Sequence, residues 1–262
     1  MPQAWEVLCR ANPAGDEIDP DDPTVLEFVE INKEHGIQLT TMKEVRASVA
    51  AQREQWRLAM QAEVDSLRDN NTFAVATSHE LRNVRHADIL PMKLVTGIKR
   101  DAVAGTEKKK VRAVVCGNFQ RKGQNEDLYT ANADITSVRA VLAASVACEH
   151  AVKVIDVNTA FCNAHLPDSM ETVYVRPPQA LIEFGLVAPG TIWRAVKAIY
   201  GLRISPKAWG VERDKELKRM TITHNGVNHI FMQSHIDPSV WSIVPGEFGE
   251  DGVGHPTKGH AT

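Results

Sequence analysis

The hydrophobic period of this chain changes at Asn70-Asn71, and that change limits the fold classes open to it. Before it, residues 43–69 place Val45, Val49, Trp56, Met60 and Leu67 at helical spacings, with Glu, Gln, Arg and Lys between them. This is the pattern of one amphipathic helix that buries a stripe of its surface. After it, Thr72–Ala76, Leu94–Ile98 and Val111–Val115 are short and rich in strand-favouring residues. Gly105 falls in the turn between the last two, which predicts a hairpin. A long helical repeat followed by short strand-like segments excludes all-α and all-β folds. The expectation is an α+β fold, a mixed antiparallel sheet packed on helices.

The remaining segments extend that pattern. Ser137–Cys148 is Ala- and Val-rich and predicts a buried helix, and Ala151–Val157 predicts a buried strand that ends at Asp156. Val173-Tyr174-Val175 predicts another strand, closed by Pro177-Pro178. Ser205-Pro206 is a helix start, Ser as N-cap and Pro at the first helical position, and the helix carries Trp209, Leu217 and Met220. Asn225-Gly226 is a hairpin signal ahead of candidate strands Ile230–Met232 and Val240–Val244. Three regions follow. Residues 1–41 read as an acidic, poorly ordered lead-in, with eight acids and one base in the first 30 positions. Residues 42–244 read as the folded region. Residues 245–262 carry five glycines and two prolines, and order is expected to end there.

Some function classes are excluded early. No apolar run approaches the roughly 20 residues of a membrane helix. The N-terminus lacks a basic segment followed by an apolar one, so no signal peptide is expected. Cys9, Cys116, Cys148 and Cys162 are scattered, without the paired spacing of a zinc site or a disulfide framework. The chain therefore reads as intracellular and reduced, cytoplasmic or nuclear. Net charge is −3, which argues nothing about partners, but its distribution does. Residues 99–122 hold eight bases (Lys99, Arg100, Lys108, Lys109, Lys110, Arg112, Arg121, Lys122) against Asp101 and Glu107. Such a cluster suits a phosphate-bearing partner, or else a solvated Lys-rich hairpin tip.

Asp156 is the acid most exposed to a chemical question. It stands at the end of an apolar run, where a carboxylate sits near solvent or a cation because burying it unpaired is costly. Taken alone, it reads as readily as a helix N-cap as a metal ligand. Its surroundings, Val-Ile-Asp-Val-Asn-Thr-Ala-Phe-Cys-Asn-Ala-His-Leu at 154–166, resemble the first catalytic motif of copia-type retrotransposon reverse transcriptases, where Asp-Val is followed after two residues by Ala-Phe and then Leu-Asn-Gly. The resemblance continues in order. Trp56, Ala59-Met60, Glu63, Leu67 and Asn71-Thr72 are similar to the family's opening helix. Lys99-Arg100, Gly105 and the segment Lys110–Gly117 are similar to its Lys-Ala-Arg-Leu-Val-Ala region, with Gln120 and Gly123 following. Val173-Tyr174 and Pro177-Pro178 come next, then Ala198–Trp209 with its Tyr200-Gly201-Leu202 and Ser205-Pro206, and then Asp237–Trp241. The likeness runs from about Met42 to Val244.

The resemblance implies a right-hand polymerase, fingers and a partial palm, in RNA-directed DNA synthesis as part of a Pol polyprotein. Nucleotidyl transfer of that kind uses two divalent cations held by carboxylates. By resemblance, Asp156 and the Val157 carbonyl are ligands to Mg2+, with Asp156 catalytic. Phe161 lies beneath the incoming sugar and leaves no space for a 2′-hydroxyl. Lys99 and Arg112 meet the triphosphate, where a guanidinium pairs with phosphate oxygens in a fork. Tyr200 and Gly201 complete the nucleotide site, and Ser205, Pro206 and Lys110 contact the template–primer. The implied partners are an RNA template, a DNA primer and deoxynucleoside triphosphates, with no membrane and with oligomeric state open.

Departures from the family pattern carry their own expectations. No Tyr-Val-Asp-Asp string follows Asp237–Trp241, and Glu250-Asp251, between glycines, reads as a loop. Segments resembling integrase, protease, ribonuclease H or a thumb do not occur. Thr96, Gly97, Cys116, Cys162, Ala164 and Arg203-Ile204 stand where the family has other residues. One carboxylate leaves a two-metal site largely unformed, so this chain is expected to show little or no polymerase activity by itself. Two other readings stay open: a catalytically dead module that grips nucleic acid through 99–122, and a non-functional transposon remnant with an unpaired sheet edge prone to aggregation.

Overall fold

Trp56, Met60, Val64 and Leu67 repeat at helical spacing and are all buried, so one face of a long helix becomes a wall against which strands are laid. Burying each such side chain stabilises the fold by about 1.5–3 kcal/mol. The computed structural model describes residues 37–100, 105–121, 127–249, 252 and 254–257. In chain order these form β1 (Ile37–Thr40), α1 (Met42–Ala47), α2 (Ala50–Asp69), β2 (Phe73–Val75), α3 (Ser78–Leu81), β3 (Ile89–Arg100), β4 (Glu107–Val115), α4 (Ile135–Ala147), β5 (Tyr174–Arg176), α5 (Gln179–Glu183), β6 (Trp193–Ala195), α6 (Ser205–Arg219), β7 (Thr221–His224), β8 (Val227–Gln233), β9 (Trp241–Phe248) and β10 (Gly254–Pro256). The class is α+β with largely antiparallel sheets, as expected.

The described residues divide into two compact units. The first takes the described residues from Ile37 to Arg121 together with Phe161–Ser205; the second takes Asp127–Ala160 and the described residues from Pro206 onward.

In the first unit, β1, β3, β5, β6 and β2 lie side by side in that order, with β4 also paired to β3. β3 is the long member. Ile89, Leu90 and Pro91 pair in parallel with β5, and Met92–Arg100 runs antiparallel to β4 in unbroken register from Met92↔Val115 to Arg100↔Glu107. β1 joins the other side of β3 over Ile37↔Lys99 to Thr40↔Thr96. One of these neighbours was not expected from the sequence. β1 falls in the segment read as lead-in, and it is followed at once by a helix whose start is locked by a reciprocal cap. The Glu44 amide donates to Thr41 Oγ1 at 3.2 Å, and the Thr41 amide donates to Glu44 Oε2 at 2.7 Å. Residues 1–36 lie outside the described residues. The helix expected over 43–69 is two helices. Ser48 turns its hydroxyl onto the Val45 carbonyl at 2.6 Å and adopts an extended ψ of 153°, which ends α1 and leaves Val49 exposed.

The second unit differs more from expectation. α4 forms, capped by Asp134, whose side chain accepts from the Thr136 amide at 2.7 Å. It buries none of its residues: Val138, Val141, Leu142 and Val146 are exposed. Residues 151–157, expected as a buried strand, pair with no described strand, and Val154 and Ile155 are 95% and 86% exposed. Strand propensity is a preference for a half-buried pleated surface, and it is realised only where a neighbour supplies the ladder. β7, β8, β9 and β10 pair with one another instead, in a meander opened by Asn225-Gly226, both with positive φ.

Order also continues past Pro245. β9 runs through it to Phe248, β10 returns beside it, and the Thr257 amide donates to the Pro245 carbonyl at 2.9 Å. The glycines that read as a disordered tail have a packing reason. A β-carbon on Gly246 or Gly254 would stand 2.9 or 2.8 Å from the side chain of Ile230, the buried hydrophobic residue among the described residues of this sheet.

Candidate functional site

The β3–β4 hairpin concentrates positive charge along one face. Residues directly opposite in an antiparallel pair share a face, as do alternate residues of a strand. Lys108, Lys110 and Arg112 therefore lie along one side of β4, with Lys99 opposite Lys108. Partial burial, then the nearby charges of Arg112 and Lys99, hold the Lys110 ammonium below its ordinary lysine range. Lys109 points to the other face, where its ammonium lies 5.1 Å from the centre of the Trp56 ring. At the outer end of the hairpin Arg100 pairs with Glu107 at 2.8 Å. Residues 101–104 and Lys122, parts of the same basic segment, lie outside the described residues.

The inner end of β4 is anchored through its edge amides. The Ala113 amide donates to Glu63 Oε1 of α2 at 2.9 Å, and two residues on, the Val115 amide donates to the Tyr200 carbonyl at 2.9 Å. The second Glu63 oxygen accepts from Arg112 Nη1 at 3.3 Å. Arg112 in turn lies over the Tyr200 ring, 5.6 Å from its centre, and Phe161 meets the same ring edge-on with centroids 5.1 Å apart. The structure thus brings four of the sequence-derived residues, Arg112, Tyr200, Gly201 and Phe161, to the base of the basic hairpin that carries Lys99 and Lys110.

Gly201 sits at φ +98°, which favours glycine, and a β-carbon there would overlap the Val115 carbonyl. Gly117 is as tightly placed against the Gly201 carbonyl. The close approach that Gly201 permits is therefore to β4. Ser205 is 1% exposed, and its hydroxyl donates to the Ile199 carbonyl at 2.6 Å and accepts from the Ile199 amide at 3.0 Å. That hydroxyl closes the turn, and Ser205 is already the first residue of α6 rather than a residue outside it. Pro206, in the first turn of α6, belongs to the second unit.

Glu63 was not singled out as a site residue on sequence, although a signal was there. It lies between Met60 and Leu67 on the apolar stripe of α2, where a carboxylate is costly unless it is paired. Cys162, next to Phe161, is buried, and burial pushes its thiol above the ordinary cysteine range. Among the described residues, Cys116, Cys148 and Cys162 form no disulfide.

Asp156 and Val157 belong to the second unit and lie in the exposed segment 151–157. A two-cation centre needs several carboxylates that converge. Among the described residues no group of three or more His, Cys, Asp or Glu does so. Glu250-Asp251 lies outside the described residues. No helix among the described residues is long and apolar enough to cross a membrane.

The family described as Reverse transcriptase (RNA-dependent DNA polymerase) matches residues 72–240. The chain is 27% identical over 184 residues to the retrovirus-related Pol polyprotein from transposon TNT 1-94 of Nicotiana tabacum. It is 28% identical over 197 residues to the corresponding polyprotein from transposon RE1 of Arabidopsis thaliana, and 27% identical over 198 residues to that from transposon RE2 of the same plant. These alignments cover 70%, 74% and 75% of this chain, and the chain spans only 12–13% of the length of those relatives. No solved structure matches it.

Proposed function

Since the chain belongs to the reverse transcriptase (RNA-dependent DNA polymerase) family, with copia-type Pol polyproteins as its relatives, we propose that its first unit is the nucleotide-handling part of an RNA-directed DNA polymerase, fingers with some of a palm. The observation that carries this reading is the placement of Arg112. Its guanidinium is held over Tyr200 at the base of a hairpin face that also bears Lys99 and Lys110. Its side chain is 38% exposed, so a phosphate can reach it. In this reading Arg112 and Lys99 neutralise the triphosphate of an incoming deoxynucleotide, and Phe161 packs beneath its sugar and excludes a 2′-hydroxyl. Tyr200 and Gly201 hold the Arg112 strand in place, and Lys110 lies toward the template–primer. Asp156 and the Val157 carbonyl are the cation ligands that the family motif assigns. Among the described residues no group of three or more carboxylate, histidine or cysteine side chains gathers with them.

The test is the affinity of the full chain for a labelled RNA–DNA primer–template hybrid across a salt series. Phosphate neutralisation predicts that log affinity falls with log salt, by a slope of about 0.7–0.9 per phosphate contacted. Replacing Lys110 by Gln should reduce that slope by about one. An affinity indifferent to salt removes the reading.

A second reading, binding without synthesis, is favoured by one observation: Asp156 stands in segment 151–157, which is exposed and pairs with no described strand. In that reading the chain grips nucleic acid and does not extend it. Extension of an RNA-templated primer by the purified chain with magnesium would exclude it, and would exclude the remnant reading as well.

A further inference from the structure

Glu63 is the buried carboxylate that the polymerase reading leaves without a role. It sits on α2, 9% exposed, and each of its oxygens has a partner on β4. Oε1 accepts from the Ala113 amide, a donor on the free edge of β4 that would otherwise lack a ladder partner. Oε2 accepts from Arg112 Nη1. The amide bond alone would account for a buried acceptor. It does not account for a full negative charge, because a neutral amide oxygen satisfies an N–H at far lower desolvation cost. The charge is matched by the guanidinium, and that guanidinium is also fixed from a second side by the Tyr200 ring. An arginine side chain loses much rotamer freedom when held in one place. Here that loss is met by folding rather than by ligand binding, which is how preorganisation raises affinity.

We propose that Glu63 is a positioning residue for nucleotide binding: it holds the Arg112 guanidinium in the orientation that receives a triphosphate. The inference rests on the reading that Arg112 meets that triphosphate. A purely electrostatic role predicts the opposite sign, since a carboxylate beside Arg112 repels phosphate and its neutralisation would tighten binding. The sign of the effect therefore separates orientation from counter-charge.

The experiment compares the full chain with E63Q, R112A and the double variant, using dTTP as the probe in calorimetry and thermal unfolding as the control. Gln keeps an acceptor for Ala113 and removes the charge against Arg112. E63Q is expected to weaken dTTP binding about tenfold. R112A is expected to weaken it at least as much, and E63Q is expected to add nothing in the R112A background. Tighter or unchanged binding by E63Q, beside a loss in R112A, overturns the positioning role and leaves the nucleotide reading standing. Absence of dTTP binding by the unmodified chain overturns both. A spectroscopic signature covers the case in which E63Q does not fold. In the unmodified chain the Arg112 Nη resonances, assigned by their loss in R112A, are expected to be distinct, because rotation of a held guanidinium is hindered. Averaged resonances there overturn the proposal without any change at Glu63.

Discussion

Gly201 lies directly against the carbonyl of Val115, leaving no space for a β-carbon, while the Val115 amide donates to the carbonyl of the neighbouring Tyr200 at 2.9 Å. This backbone-to-backbone seam joins the strand that carries Arg112 to the turn that carries its aromatic partner. Gly201→Ala is expected to destabilise the protein by on the order of 3 kcal/mol, from an unfavourable positive φ and a clash that only backbone movement relieves. Urea unfolding measures it, and a loss under about 0.5 kcal/mol would show that the seam is not tight.

Met60 is fully buried on α2, at the centre of the stripe packed on the sheet. Met60→Ala is expected to cost about 2–5 kcal/mol, the range for truncating a large core side chain. Val49→Ala is expected to stay within about 0.5 kcal/mol, although the sequence places both residues on one helical stripe. Val49 is 65% exposed at the break before α2. Equal losses in denaturant unfolding would mean that the break is absent.

Lys110 gives a prediction in pH. Burial and the neighbouring cations lower its pKa in the folded protein, below the value of the unfolded chain. Well below the folded pKa the ammonium is charged in both states, and its unfavourable placement is a constant cost. As pH rises between the folded and unfolded values, the folded state releases its proton first, the unfolded state binds more protons, and stability rises. The unmodified chain should therefore gain stability relative to Lys110→Met as the solution becomes alkaline. At neutral pH, Lys110→Met should be the more stable of the two and the weaker binder of the primer–template. Thermal unfolding across alkaline pH checks the first point, and a difference that does not change with pH rejects it.

The α4 face tests whether helical apolar pattern equals burial. Leu142→Ser and Val146→Ser remove apolar side chains that are 45% and 78% exposed. Each should change stability by less than about 0.5 kcal/mol and should raise solubility, because contiguous exposed apolar surface favours association. A loss of about 2 kcal/mol or more in either variant would place that side chain in a core.

The sequence by itself determined the elements whose information is local. The α2 stripe, the basic hairpin around Gly105 and the Asn225-Gly226 turn follow from helical spacing, from strand propensity and from backbone conformations that few residues adopt. The cluster of cations at 99–112 and the family motifs were legible for the same reason: they are strings.

What only the tertiary structure decided is which surfaces find partners. Val154 and Ile155 have the composition of a buried strand, yet burial needs a neighbouring ladder, and no described strand supplies one. Pro245, Gly246 and Gly254 have the composition of a tail, yet close packing on Ile230 is what glycine permits. Glu63 reads as one more charge on a helix; its weight comes from two partners on β4, Ala113 and Arg112, that lie 50 and 49 residues away along the chain. Pairings of that kind depend on non-local closure, which a local pattern does not encode, and they gather Arg112, Tyr200 and Phe161 at one place in the first unit.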